Sequence, residues 1–167
     1  KLYNAKIPDN AKNLWDVPNL LLQKFPAEEF SVTTKLAFKP NLKLENEETG
    51  LVIMGRNYAA ITLKSKKDGI YLIYNICTAA DKGKAEIEKE IMRLKSGSIY
   101  LKAKISAGAK CQFSYSEDGI NFTEAGDEFQ AVAGQWIGAK IGLFATRENQ
   151  INDSGVADYD WFRFDNK

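Results

Sequence analysis

VADYDWFRFD, residues Val156 to Asp165, sets three aspartates among bulky aromatics near the end of a chain of 167 residues. Val, Tyr, Trp and Phe suit a pleated, packed surface, whereas Asp is depleted in strands. Side chains alternate along a strand, so Asp158, Asp160, Phe162 and Phe164 are expected on one face, with Tyr159, Trp161 and Arg163 on the other. Each face then carries large apolar groups, and neither is simply the wet side. At least one carboxylate is therefore expected beside buried surface, where it needs hydrogen-bond donors, a cation or a metal.

Working outward, strand signals recur along the whole chain. NLLLQKF and EEFSVTTKLAF come first, the second with Phe30, Val32, Thr34, Leu36 and Phe38 alternating onto one face. LVIMGRNYAAITLK, GIYLIYNICTA, KAEIEKEIMRL, SIYLKAKIS, AKCQFSYS and WIGAKIGLFAT follow. In SIYLKAKIS, Ile99, Leu101, Ala103 and Ile105 point one way, and Tyr100, Lys102 and Lys104 the other. Lys67-Asp68-Gly69, Lys95-Ser96-Gly97, Ser106-Ala107-Gly108 and Glu117-Asp118-Gly119 punctuate these runs, because Gly adopts positive φ without steric cost. KGKAEIEKEIMRLK is the one segment compatible with a helix; between strands it reads as a strand. About nine to eleven short strands, with no linker or repeat between them, predict one all-β domain over residues 1–167, a sandwich or jelly roll.

Composition narrows the function. The chain has 23 basic and 22 acidic side chains, a net charge of +1, so no long-range field attracts nucleic acid or an anionic membrane. No apolar run approaches the ~20 residues that cross a bilayer as a helix. The opening KLYNAKIPDN, strand-like from its second residue and without an initiator Met, reads as a mature or excised segment. Cys77 and Cys111 lie in strand-like runs, Cys111 on the face of Phe113 and Tyr115. Either a bridge or two buried free thiols fits that placement. With no histidine, two separated cysteines do not make the usual zinc set.

The same lack removes the base of a nucleophilic triad. Glu86, Glu88 and Glu90 in EIEKE invite comparison with glucanases that project alternate strand carboxylates into a cleft, a retaining pair standing about 5 Å apart. Lys84 and Lys89 intersperse charge there, no tryptophan lies nearby to floor a sugar subsite, and an edge strand of mixed charge explains the run. SYSEDGINF, Ser114 to Phe122, is a tight hairpin in which Asp118 accepts backbone donors and Phe122 is expected to return to the core. Sugar recognition combines a flat ring with amides, Arg and carboxylates for the hydroxyls. Trp15, the Arg56-Asn57-Tyr58 step and Trp136 offer that mixture, although packing or interdomain contact is the commoner reason for such rings.

Several stretches taken in order carry a family resemblance. NLWDVPNLLLQKFPAEEFSVTTKLAF, ETGLVIMGRNY, CQFSYSEDGINFTEAG, GQWIGAKIGLFA and GVADYDWFRF resemble the C-terminal concanavalin A-like β-sandwich domain of glycoside hydrolase family 43 enzymes, the β-xylosidases and α-arabinofuranosidases. GAKIGLFA followed by ADYDWFRF is the most specific part. The resemblance implies a jelly roll of two antiparallel sheets, secreted or periplasmic, packed beside a five-bladed propeller that holds the catalytic carboxylates. Family domains usually begin with a further strand segment, which implies that this chain is a fragment of a longer enzyme. The resemblance also implies a structural Ca²⁺ with Asp160 as ligand beside N-terminal carbonyls; hydrogen bonds from amides, or pairing of Asp158 and Asp160 with Arg163 or a lysine, are the alternative.

The function expected is that of a non-catalytic accessory domain packing against the propeller. A carbohydrate-binding module for xylan or arabinan chains, using Trp15, Arg56, Asn57, Tyr58 and Trp136, is the alternative. An independent hydrolase requires Glu86, Glu88 and Glu90 to form a cleft.

Overall fold

The computed structural model describes residues 1–148, 150 and 153–165. Strands β1 (Leu2–Tyr3), β4 (Phe30–Lys39), β9 (Ser98–Ser106), β10 (Lys110–Ser116), β11 (Thr123–Gln130) and β13 (Val156–Asp165) make a six-stranded antiparallel sheet in the order β1-β13-β4-β9-β10-β11. Strands β2 (Ala5–Lys6), β12 (Lys140–Arg147), β5 (Glu47–Met54), β6 (Tyr58–Lys66), β7 (Gly69–Cys77) and β8 (Ile87–Arg93) follow one another in the second sheet, with β3 (Leu20–Lys24) also paired to β12. One pairing departs from the antiparallel expectation: β2 runs parallel to β12. The run LVIMGRNYAAITLK is two strands, broken at Gly55-Arg56-Asn57. The charged TEAGDEFQ run, without an obvious apolar alternation, is strand β11.

The alternation read from sequence builds the layer between the sheets. Phe30, Val32, Leu36 and Phe38 of β4 and Ile99, Leu101, Ala103 and Ile105 of β9 meet Leu51, Ile53, Ile61 and Leu63 of the opposing sheet. Burying a side chain of this kind stabilises by roughly 1.5–3 kcal/mol. Cys111 belongs to this layer, whereas Cys77 lies on the other side of the second sheet; both thiols are free and buried. Asp118 organises its hairpin as expected, accepting from Ile120 and Asn121 N–H at 2.8 Å each. Phe122 does not return to the core. It lies outside the six-stranded sheet, with the Lys102 ammonium 5.3 Å from its ring centre.

VADYDWFRFD departs from simple alternation at one residue. The pairing of β13 with β4 steps from Tyr159↔Leu36 to Trp161↔Lys35, which leaves Asp160 as a bulge. Ala157 and Tyr159 before the bulge, and Phe162 and Phe164 after it, all pack against the inter-sheet core. Trp161 turns outward, 6.3 Å from the Tyr100 ring, and Arg163 lies 4.8 Å above the indole. The expectation that Tyr159 faces away from Phe162 and Phe164 is thus corrected, because one extra residue restores the same face.

Neither aspartate is the buried carboxylate. The Asp158 side chain is 3.6 Å from both Lys1 and Lys39, and Asp160 is 3.5 Å from Lys35. The fully buried acid is Glu47, whose two oxygens accept the N–H groups of Asn41 and Gly155 at 2.6 Å each. That pair of donors meets the requirement a buried carboxylate imposes.

Deleting Asp160 removes the bulge and turns either Tyr159 or both phenylalanines to solvent. Urea denaturation is expected to show a loss of at least about 3–5 kcal/mol or no cooperative transition. Asp160→Asn, which keeps the extra residue, should stay within about 0.5 kcal/mol of wild type.

Candidate functional site

The seven-stranded sheet is covered on its outer face. Val52, Met54, Tyr58, Ala60, Cys77 and Phe144 form a second apolar layer, packed against Ile7, Ala11, Trp15, Leu20 and Leu22 of the N-terminal segment. That segment carries a short 3-10 helix, Leu14–Asp16, capped by the Asn13 side chain on the Trp15 N–H at 2.8 Å. The Asn13 amide also donates to the Ala80 and Lys84 carbonyls at 3.1 and 2.8 Å.

The residues singled out for sugar binding divide sharply. Tyr58 has no exposed surface, so its ring offers no platform. Its hydroxyl donates to Glu86 at 2.6 Å and accepts from the Leu14 N–H at 3.1 Å. Burial, reinforced by the Glu86 charge, pushes that phenol far above its usual range. The Asn57 side chain is spent on the Ala79 N–H, 2.8 Å away, where the chain takes a left-handed turn. Trp15, on the N-terminal segment, is half-buried against the outer apolar layer of the sheet.

Arg56 and Trp136 remain accessible, Trp136 with 89% of its surface exposed. Backbone bonds link their loops at one end of the sandwich. Arg56 accepts from the Ala80 N–H at 2.8 Å and donates to the Ala133 carbonyl at 3.3 Å.

Glu86, Glu88 and Glu90 do not act as one acid group, because each is engaged by a different partner. Glu86 binds Tyr58 and the Asn75 amide, Glu88 binds Lys64 at 2.5 Å, and Glu90 binds Lys66 at 2.7 Å. Lys64 also reaches Glu48 at 2.7 Å, making a three-membered ion network on the covered face. Burial pushes the Glu48 carboxyl up to about 7 against the pull of Lys64. For Lys64, burial alone would lower the pKa, but Glu48 and Glu88 together raise it above its usual range. Burial also raises the Glu86 pKa, outweighing the hydrogen bonds from Tyr58 and Asn75.

The residues at Asp160 do not fit the implied calcium site. Its side chain is 63% exposed and leans on Lys35, and the N-terminal strand β1 pairs further up β13, at Val156 and Ala157. Among the described residues, no group of three or more Asp, Glu, Cys or His is placed to hold a metal. Ca²⁺ takes six to eight oxygens, and one exposed carboxylate beside an ammonium does not provide them.

The sequence family of β-xylosidase C-terminal concanavalin A-like domains matches over residues 2–165. The chain belongs to this family. The GH43 protein BlXynB of Bacillus licheniformis superposes with a TM-score of 0.74 at 22% identity, over 98% of this chain and 32% of that one. A xylan β-1,4-xylosidase of Bacillus halodurans C-125 gives 0.76 at 16% identity, over 99% and 32%. Sheep galectin-11, which shares only the jelly-roll architecture, gives 0.52 at 13% identity, over 89% and 98%. No curated protein sequence matches. The chain thus spans about a third of the length of the GH43 proteins it matches. Among the described residues, no helix is long and apolar enough to cross a membrane.

In this GH43 C-terminal domain, the charged network beneath the N-terminal segment escapes a sequence reading. Glu48, Lys64 and Glu88 each look like solvated strand positions, and only the strand register brings Glu48 opposite Lys64. Asn13, two residues before Trp15 and followed by an apolar residue, is the one local cue to a capped turn.

The raised pKa of Glu48 sets the direction of a pH effect. A carboxyl that holds its proton more tightly when folded contributes most stability below its ordinary value of 4.5, and that contribution is lost as pH rises through about 7. Glu48→Gln lacks the titration. Chemical denaturation across this range is expected to show the wild type losing on the order of 3 kcal/mol relative to the variant between acidic pH and pH 8.

Proposed function

We propose that this chain is a non-catalytic accessory domain of a plant-polysaccharide-degrading glycoside hydrolase of the β-xylosidase or arabinofuranosidase type, and that it packs against the catalytic propeller of the same polypeptide. The observation that carries the reading is that nearly the whole chain corresponds to about a third of its GH43 relatives. The chemistry agrees with it: Glu86, Glu88 and Glu90 each bind a different partner, and the chain has no histidine. The reading carries with it a secreted or periplasmic parent enzyme.

The docking surface we favour is the end of the sandwich that bears Trp136. An indole with 89% of its surface in water, on a loop held to the Arg56 turn, is the kind of aromatic that anchors an interface. The same exposure supports a second reading, in which Arg56 and Trp136 bind xylan or arabinan oligosaccharides directly.

Mixing this chain with the separately produced catalytic segment of its parent tests the first reading. Co-elution is expected, weakened at least about tenfold by Trp136→Ala, as for an interfacial aromatic anchor. Hydrolysis of nitrophenyl pentosides should come from the catalytic segment alone. Turnover by this chain by itself, or no association, would overturn the accessory reading. Titration heat with xylo- or arabino-oligosaccharides that Trp136→Ala abolishes would favour the second.

A further inference from the structure

Among the described residues, a second apolar layer covers only the seven-stranded sheet, and the outer face of the six-stranded sheet stays open. Ser31, Thr33 and Lys35 of β4 and Tyr100, Lys102 and Lys104 of β9 point outward there, half-buried or exposed. Strand register sets this face in rows. Trp161, Lys35 and Tyr100 form one, Arg163, Thr33, Lys102 and Ser114 the next, and Ser31, Lys104 and Gln112 a third.

The cations of this face fall into two groups. Lys35 is 3.5 Å from Asp160, Lys39 is 3.6 Å from Asp158 and Lys110 is 3.8 Å from Glu128, so these three are already paired. Arg163, Lys102 and Lys104, which lie between them, have no ion pair among the described residues. Rings hold two of these instead. The Arg163 guanidinium lies 4.8 Å from the Trp161 ring centre, and the Lys102 ammonium 5.3 Å from that of Phe122. A ring orients a cation without neutralising it, so each keeps its charge for a partner. Asp165 and Glu124 stand at the margins, beside Ser31 and Ser114, and pair with none of the three. Thr33 separates Arg163 from Lys102, so their backbones are roughly 9.5 Å apart with a short side chain between.

We infer that this open face binds an acidic saccharide, one whose sugar rings carry carboxylates, with Arg163 and Lys102 as the groups that recognise the charge. The Arg163 fork, held against the indole, matches a carboxylate bidentately. Lys102 and Lys104 take a second carboxylate or a ring oxygen further along the chain. Thr33, Ser31, Ser114 and Gln112 lie between and beside the cations and supply partners for sugar hydroxyls. A neutral saccharide would leave three unpaired cations unanswered. A nucleic acid strand, with one charge about every 3.4 Å, asks for a denser row of cations than this face holds, and the net charge of +1 offers it no long-range attraction. A uronate chain, with at most one charge per ring and several hydroxyls, matches the sparse cations and the short polar side chains between them. The choice of a saccharide among anions leans on the glycosidase-accessory reading.

The full chain, labelled with ¹⁵N, is titrated with trigalacturonate, with xylotriose bearing one glucuronic acid branch, and with plain xylotriose, each to about 20 mM, a range suited to millimolar affinity. Saturable shifts are expected at the Thr33, Lys102 and Arg163 amides for at least one acidic saccharide. Affinity should be at least about tenfold lower for plain xylotriose and should fall as salt rises from about 20 to 200 mM. A response to only one of the acidic saccharides supports the inference and assigns the carboxylate to the main chain or to a branch. Arg163→Gln and Lys102→Gln should each weaken binding at least about fivefold. Lys110→Gln, which removes an ammonium already paired with Glu128, and Trp136→Ala, at the docking surface, should leave it unchanged. If either of the first two variants does not fold, Lys104→Gln takes its place. Equal affinity for plain xylotriose, or tighter binding of a thymidine oligonucleotide, would overturn the inference. So would the absence of saturable shifts, and co-elution with the catalytic segment weakened by Arg163→Gln would then assign the face to a protein partner.

Discussion

The Tyr159 phenol joins the two sheets by directional bonds as well as by apolar contact. Thr49 of β5 donates to the Phe144 carbonyl of β12 at 2.7 Å, and its oxygen lies 2.7 Å from the Tyr159 hydroxyl of β13. The Gly50 and Phe144 carbonyls stand 3.1 and 3.3 Å from the same hydroxyl. Burial pushes this phenol well above its usual range, so it remains a donor at any physiological pH. Apolar contact is not directional, whereas a hydrogen bond across the layers also constrains orientation. The bulge at Asp160 makes it available, because without the extra residue Tyr159 and the pair Phe162 and Phe164 could not share the inner face.

That fixed position carries outward to the covered face of the seven-stranded sheet. Thr49 and Leu51 face the core, which sends Glu48, Gly50 and Val52 to the far side, beneath the N-terminal segment. Glu47 pins the chain just before β13 by accepting from Gly155, while Asn4 donates to the Glu48 and Thr146 carbonyls at 3.0 and 2.8 Å. The N-terminal segment and the charged network beneath it therefore depend on the same strand placement. Such polar ties resist loosening, since unmaking any one strands a buried group.

The strands with clean alternation, β4 and β9, were legible because one face is wholly apolar, and period 2 then admits a single register. The closing strand was legible as a strand but misassigned by face, since a bulge changes the phase without marking the sequence. The site was harder. Tyr58 read as a surface ring because Arg56 and Asn57 precede it, yet its strand turns it under the N-terminal segment, where Glu86 takes its proton donor. The carboxylate expected beside buried surface exists, but it is Glu47, which accepts from Asn41 six residues away and from Gly155 across the chain, a long-range contact that local pattern does not encode.

A double-mutant cycle on Tyr159→Phe and Thr49→Val tests the tie between sheets most directly, by urea denaturation of the wild type, both single variants and the double variant. Each change is nearly isosteric, so packing is held while the hydrogen bond is removed. The account predicts a coupling of at least about 1 kcal/mol, the double variant losing less than the sum of the single ones. Strict additivity, with no coupling above about 0.3 kcal/mol, would mean that Tyr159 does not bridge the sheets.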